Sequence, residues 1–349
     1  MQKIKDKFCH KPFEHFETHP NGNTSLCCYS WLPYYAGKLD KDMSVKDVFN
    51  SKLVQDIRTS ILNGSFKYCN HKLCPHIQND SLPRKSEVKN EYLKNIIDND
   101  IINGLKPRFY NLCYDLSCNL SCPSCRKEKI NHSKGPMYQK ALEIQNKIIE
   151  EVFGEPNEEY CLISVTGSGD PFGSKLFREF LFSINGKDFP NVLFNLQTNG
   201  VMFTPKYWDK MRSIQKNINT VIVSYDAGTE KTYNITRRGG NWKKLQENMR
   251  FLSQLREDNK INELRIDFVV QKCNYKEIPT VIKIGKELNV DIVYFSKIIN
   301  WGTFNEEEFN SHAVWKSSHP EFNDYIRVMT NPILKDKIVD LGNLSDNLK

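Results

Sequence analysis

No stretch of this sequence is long and apolar enough to span a bilayer. Apolar runs such as Val221-Ile222-Val223 stop after a few residues, where a membrane helix needs about 20. The opening Met1-Gln2-Lys3-Ile4-Lys5 has none of the apolar core of a secretory signal. Internal repeats and low-complexity tracts are missing, which excludes solenoids and compositionally biased chains. No block of one charge stands out either. The formal charge of +7 is spread along the chain, and no segment interleaves aromatics with arginines as RNA-reading surfaces do. Neither a membrane nor a nucleic acid is the expected partner.

Cysteine, by contrast, is plentiful: eleven in 349 residues. With no export signal, the expected compartment is the cytosol. Thiols stay unpaired there, so clustered cysteines point to metal binding or catalysis. Eight fall into two groups. One is Cys9, Cys27, Cys28, Cys69 and Cys74; the other is Cys118, Cys122 and Cys125. Cys113, Cys161 and Cys273 stand in apolar surroundings and read as small core residues. A hydrophobic fraction of 39% supports a packed core, enough for one large α/β domain and a smaller one.

From residue 108 onward, short β-branched runs alternate with amphipathic segments. Strands are expected at 108–114, 160–166, 191–197, 220–225, 264–270 and 291–295. Helices are expected at 137–153, 175–183, 205–212, 242–256 and 276–288. This alternation predicts βαβ units and a parallel sheet, either open or closed part-way into a barrel, with ligands at the carboxyl ends of the strands. Residues 1–105 differ: they are rich in turn formers and cysteine, with one helix expected over 44–63 and a charged helix or linker over 79–103. The tail after Gly302 has little periodicity.

The sharpest signal is Cys118-Asn119-Leu120-Ser121-Cys122-Pro123-Ser124-Cys125, directly after the first expected strand of the βα series. Three thiolates on a four-iron cluster leave one iron open to a ligand. A structural zinc site wants four ligands; His132 is close, but a partner for it is missing.

Cys-x-x-x-Cys-x-x-Cys at the end of the first strand of a sixfold βα series resembles the radical S-adenosylmethionine (SAM) superfamily. Other segments agree in order and place. Thr166-Gly167-Ser168-Gly169-Asp170-Pro171 is similar to the Gly-Gly-Glu stretch that holds the SAM amino group, with Asp170 in place of the usual Glu. Gln197-Thr198-Asn199-Gly200 resembles the family's Thr-Asn-Gly turn. Ser224-Tyr225-Asp226-Ala227 and Arg237-Arg238-Gly239-Gly240 resemble the segments that contact the SAM carboxylate and ribose, and Val270-Gln271-Lys272-Cys273-Asn274 is also family-like. Ser124 stands where many members place an aromatic. The resemblance implies an α/β partial (β/α)6 radical SAM barrel over 106–303, with Cys118, Cys122 and Cys125 holding the SAM-binding [4Fe-4S] cluster. SAM contacts are implied at Gly167, Ser168, Gly169, Asp170, Asn199, Ser224, Asp226, Arg237 and Gln271.

At the amino end, Cys9-x12-Gly22-x4-Cys27 followed by Cys69 and Cys74 resembles the SPASM/twitch auxiliary-cluster module. So do Lys11-Pro12-Phe13, Val48-Phe49-Asn50-Ser51, Arg58 and Gly64-Ser65-Phe66-Lys67-Tyr68-Cys69. In many relatives this module follows the barrel; here, over 1–105, it precedes it. Cys9, Cys27, Cys69 and Cys74 are the implied ligands of a second [4Fe-4S] cluster, with Cys28 spare. The alternative is a zinc-stapled mini-domain using four cysteines, or three with His10 or His71.

The resemblance further implies reductive cleavage of SAM to a 5′-deoxyadenosyl radical that abstracts a substrate hydrogen, with a flavodoxin or ferredoxin as electron donor. The substrate would be a peptide, a protein or a carbohydrate-type small molecule. No winged-helix segment for a leader peptide stands out. Cys113, Cys161 and Cys273 are candidate hydrogen donors beside their reading as core. The 304–349 tail could cover the barrel mouth, with Trp301 lining the pocket. The competing class is a non-catalytic zinc- or iron-binding module that binds a protein or RNA.

Overall fold

A computed structural model describes residues 4–348; the first three residues of the segment read for an export signal lie outside it. The chain divides into two compact units. The first comprises Met1–Asp115, Lys134–Gly167 and Asp188–Val192; the second comprises Leu116–Ser133, Ser168–Lys187 and Leu193–Lys349.

The first unit holds strands β1 (His15–Thr18), β2 (Asn23–Ser25), β3 (Gly37–Lys38), β4 (Phe109–Leu112) and β5 (Cys161–Val165). β1 runs parallel to β4 in the register His15 to Phe109 and Thr18 to Leu112, and β4 runs parallel to β5. β2 and β3 continue from β1 as an antiparallel meander. Gly22 makes the β1–β2 turn at φ +85°, where an added Cβ would meet the Leu39 carbonyl oxygen at 2.7 Å, so only glycine fits. The sequence reading missed β1 to β3, because strands of two to four residues are too short for alternation to stand out. It also kept residues 1–105 apart, whereas β1 shares a sheet with β4.

The helix expected over 44–63 is two helices, Val45–Phe49 and Lys52–Leu62. Asn50 causes the break. Its amide donates to the Lys46 and Leu105 carbonyls, and its side-chain oxygen accepts from the Leu105 N–H. A residue bonding to a distant strand of chain in this way leaves the helical path. Within 79–103 a helix does form, Glu91–Asp98, capped by the Asn90 side chain.

The second unit carries β6 (Val192–Thr198, whose first residue belongs to the first unit), β7 (Ile218–Ser224), β8 (Glu263–Val270), β9 (Ile292–Lys297) and β10 (Val339–Asp340). Neighbours from β6 to β10 are all parallel. Helices Trp242–Glu257 and Ile278–Glu287 connect β7 to β8 and β8 to β9, burying Leu245, Met249, Leu252, Val281 and Ile282. Each such side chain stabilises the fold by about 1.5–3 kcal/mol. On β8, Leu264, Ile266, Phe268 and Val270 are buried, while Arg265 and Asp267 take the alternate positions. Parallel strands covered on both faces usually read apolar throughout. Here the second face is polar, with Asn195, Gln197, Ser224, Arg265, Asp267 and Tyr294 half-buried along it.

The tail is more regular than its sequence suggested. It forms helices Glu306–His312 and Phe322–Met329, and β10 pairs with β9. Lys272 donates its backbone N–H to the His312 carbonyl, and the Tyr275 hydroxyl meets Glu321 at 2.8 Å, so the tail seats on the segment after β8. Trp301, expected to line a pocket, is instead 72% exposed. No helix among the described residues is long and apolar enough to cross a membrane.

Arg58 holds the amino-terminal segments together. It is fully buried, donates to the Pro12 and Ile102 carbonyls at 2.9 Å, and stacks its guanidinium over Phe49 at 4.3 Å. Arg58→Met should lower stability by about 2–4 kcal/mol, since two buried carbonyls lose a charged donor. Urea unfolding followed by tryptophan fluorescence would measure this, and an unchanged midpoint would refute the role.

Candidate active site

The Cys118–Cys125 loop leaves the end of β4 and lies wholly in the second unit. Its shape is held from several sides. Cys118 N–H bonds the Ile130 carbonyl, the His132 N–H bonds the Ser117 hydroxyl, and Cys125 and Arg126 N–H groups close a turn on Cys122. Gly173 lies so close that an added Cβ would meet the Asn119 nitrogen at 2.8 Å.

Each of the three sulfurs is met by N–H donors. Cys118 Sγ accepts from the Leu120 N–H at 3.4 Å and Asn199 Nδ2 at 3.8 Å. Cys122 Sγ accepts from Arg237 Nη1 at 3.7 Å. Cys125 Sγ accepts from Arg126 Nε at 3.4 Å and Nη2 at 3.3 Å. Burial pushes the Cys118 thiol up to about 12, with Asp170 adding to the rise, and burial also raises Cys122 against the pull of Arg237. Buried thiols lined with donors and guanidinium charge suit an electron-poor metal centre that takes the place of their protons.

Asp170 is more than an acceptor awaiting a ligand. Its Oδ1 takes the Phe172 and Gly173 N–H groups at 2.9 and 2.8 Å. Its Oδ2 takes the Thr198 hydroxyl, the Asn199 N–H and Asn199 Nδ2 at 2.9, 2.8 and 2.7 Å. The Asp170 N–H in turn donates to the Ser117 carbonyl. One buried carboxylate thus ties the glycine-rich turn and the end of β6, while its own N–H reaches the cysteine loop.

Arg237 pairs with Asp226 at 2.7 Å, and the carboxylate holds the guanidinium charged despite its burial. Asp226 sits in the left-handed region at φ 54°, a strained conformation for a non-glycine residue. It is pinned by Val269 N–H on its side chain and Asn274 Nδ2 on its carbonyl. Gln271 joins the same network through its N–H, which donates to the Asn274 side chain. Ser224 ends β7 in register with Asp267 of β8. Ser168 offers its carbonyl to Arg126, and Gly169 lies between it and Asp170. Gly167 belongs to the first unit, where it faces Cys113 Sγ. Burial pushes the Cys113 and Cys273 thiols up to about 12 and about 11 and raises Cys161 further.

Three residues escaped the sequence reading. Arg126 was hidden as an ordinary basic residue after a cysteine. Arg265 and Asp267 pair at 2.5 Å, with Arg265 over the Tyr294 ring at 4.1 Å, and burial raises the Asp267 carboxyl against the pull of Arg265. Their signal was available: charged residues at alternate positions of an otherwise apolar parallel strand.

In the first unit, Cys9, Cys27, Cys69 and Cys74 line one small cavity together with Trp31, Leu32, Phe66 and His76. Cys28 is exposed and does not line it. His10 instead pairs with Glu14, and His71 bonds the Phe66 carbonyl. Burial pushes Cys27 and Cys69 up to about 12 and raises Cys9 as well, each rise reinforced by the neighbouring thiols. Four thiols around one cavity, Cys74 buried and the other three half-buried, fit a closed cluster with no open iron.

Two family models match the chain: the radical SAM superfamily over residues 116–266 and an iron–sulfur cluster-binding domain, SPASM, over residues 9–76. Among solved structures, native anSMEcpe with bound AdoMet is 19% identical at a TM-score of 0.37, covering 53% of this chain and 50% of that one. SuiB of Streptococcus suis bound to S-adenosylmethionine is 12% identical at a TM-score of 0.46, covering 85% and 63%. The radical S-adenosylmethionine methyltransferase TsrM of Kitasatospora setae is 11% identical at 0.39, covering 52% and 35%. The chain therefore spans about half the length of the anSMEcpe structure it matches. No curated protein sequence gives a match. The chain thus carries a radical SAM domain with a SPASM module amino-terminal to it, and the two domains indicate SAM and [4Fe-4S] clusters, one of them auxiliary, as cofactors.

Two outcomes test this geometry. Asp170→Asn should cost the protein about 2–4 kcal/mol even without SAM, because an amide nitrogen cannot accept the N–H groups on one side of the carboxylate. A melting temperature equal to wild type in the metal-free protein would show that Asp170 serves only a ligand. Thiol alkylation supplies the second test. The raised thiols stay protonated through neutral pH and ionise only toward pH 12, so metal-free protein at pH 8 should label first at the exposed Cys28 and Cys125. Cys27, Cys69 and Cys118 should trail by at least a hundredfold, as read by peptide mass spectrometry. Equal labelling would contradict their burial.

Proposed function

We propose that the protein is a radical SAM enzyme whose Cys118, Cys122 and Cys125 hold the cluster that binds SAM. The observation that carries this reading is the meeting of the three donor-lined sulfurs with the glycine-rich turn through Asp170, Asn199 and Arg126. When bound, the cluster and SAM supply one low-potential electron to the sulfonium and a 5′-deoxyadenosyl radical that takes a hydrogen atom from substrate. The chain's own part is positioning. Backbone groups of Gly167, Ser168 and Gly169 would receive the SAM amino group, with Asp170 keeping the turn in shape. Asn199, Ser224, Asp226, Arg237 and Gln271 would border the rest of the ligand, Arg237 remaining charged through Asp226.

Cys9, Cys27, Cys69 and Cys74 would hold the auxiliary cluster, which could bind substrate or accept the electron released when a substrate radical is oxidised. The substrate is a peptide or protein, or a carbohydrate-type small molecule. The polar face of β6 to β9, with Asp267 as a proton-transfer group, suits a hydrogen-bonding substrate of either kind. A flavodoxin or ferredoxin would deliver electrons in a reducing cytosol.

The test is release of 5′-deoxyadenosine from SAM by anaerobically reconstituted, reduced protein beside the Cys118→Ala/Cys122→Ala/Cys125→Ala triple variant. Wild-type release with none from the variant is expected. A colourless protein that takes up zinc, binds no SAM and releases nothing would instead mark a metal-stapled binding module. Cys69→Ser should halve the iron content and leave SAM binding in place.

A further inference from the structure

A buried guanidinium beside a cluster ligand is a fixed positive charge next to the group that must accept an electron. Two such charges stand here. Arg237 reaches Cys122 Sγ, but Asp226 at 2.7 Å offsets its charge. Arg126 is different. It is 8% exposed, and among the described residues its side chain forms no ion pair with a carboxylate. Every one of its bonds goes to a carbonyl or a sulfur. Nη1 donates to the Leu116 carbonyl, Nη2 to the Ser168 carbonyl, and Nε and Nη2 both point at Cys125 Sγ. An uncompensated buried cation is costly unless an anion comes to meet it. The neighbouring anions would be the three cysteine thiolates.

We infer that Arg126 sets the reduction potential of the cluster on Cys118, Cys122 and Cys125, holding it high enough for an ordinary electron donor to reduce. The inference rests on the proposed function and adds a role for a residue outside the ligand set. Cluster potentials depend on net charge and on hydrogen bonds to the ligand sulfurs. Reduction adds one electron to the cluster and takes up no proton at Arg126. The charge against Cys125 therefore stabilises the reduced form more than the oxidised one. Because the same guanidinium joins the Leu116 and Ser168 carbonyls, the charge is fixed in place and cannot swing out to solvent. A lysine could bring the charge but not both anchors, which allows charge and anchoring to be separated.

The measurement is an EPR-monitored redox titration of iron-loaded, full-length protein, following the signal that changes when SAM is added. Iron and sulfide are counted in each sample. Arg126→Gln should fill with iron as wild type does, yet show at least a tenfold lower reduced-to-oxidised ratio at a fixed potential. That is a negative shift of about 59 mV or more for a one-electron couple. Arg126→Lys should stay within threefold of wild type. A fully loaded Gln variant at the wild-type potential overturns the inference, as does an equal shift in Gln and Lys, which would trace to packing. If the Gln variant loads no cluster, the Lys variant decides: loading at the wild-type potential supports the charge, and failure to load makes Arg126 a folding residue. A wild-type protein with no SAM-responsive signal would defeat the proposed function and this inference together, whereas a normal wild type with an insensitive Arg126 defeats only the latter.

Discussion

The Asp170 carboxylate accepts five hydrogen bonds from two segments of chain: the turn it begins and Thr198-Asn199 at the end of β6. A buried carboxylate is costly to leave without donors, so the two segments must come together or the charge must be lost. Its own N–H extends the link to Ser117, one residue before the first cysteine of the loop. The position of Cys118 is thus coupled to the glycine-rich turn through a single residue. Loops at the ends of strands are usually the softest parts of a fold; here they share one polar anchor.

Around that anchor, buried charges of both signs act on the sulfurs. Cys118 and Cys122 are buried thiols that resist ionisation by themselves, and each sulfur of the loop has a nitrogen donor aimed at it. Such an arrangement is poor for three free thiolates and good for thiolates shared with iron. Arg237 and Asp226 neutralise one another nearby, which leaves the Arg126 guanidinium at Cys125 and the Asp170 carboxylate acting on Cys118. The amino-terminal cavity follows different rules: its four thiols have aromatic and aliphatic neighbours. The same ligand type is therefore offered two environments, one polar and charged, the other mostly apolar.

Much of this could be read along the chain. The Cys118, Cys122 and Cys125 spacing, the glycine-rich turn after β5 and the alternation of strands with helices are local patterns, and local patterns survive without knowledge of the fold. β1 could not be read, because His15-Phe16-Glu17-Thr18 becomes a strand only by pairing with β4, more than ninety positions away. The break at Asn50 is of the same kind, since its partner is the backbone at Leu105. Arg265 and Asp267 fell between: the alternation was visible, but a salt bridge within one strand matters only once the other face of β8 is known to be buried.

The sequence by itself determined the class of chemistry, because thiolate number and spacing decide how a metal centre can be held and whether an iron is left open. It also determined the parallel βα order, through short apolar runs set between amphipathic helices. Only the tertiary structure decided which polar groups surround the sulfurs. Hydrogen bonds and charge depend on distances between residues remote in the chain, such as Cys122 with Arg237 and Asp170 with Asn199. The part of Arg126 was decided in the same way: next to Cys125 in the chain, it acquires meaning only when Ser168 and Leu116 close around it and no carboxylate does.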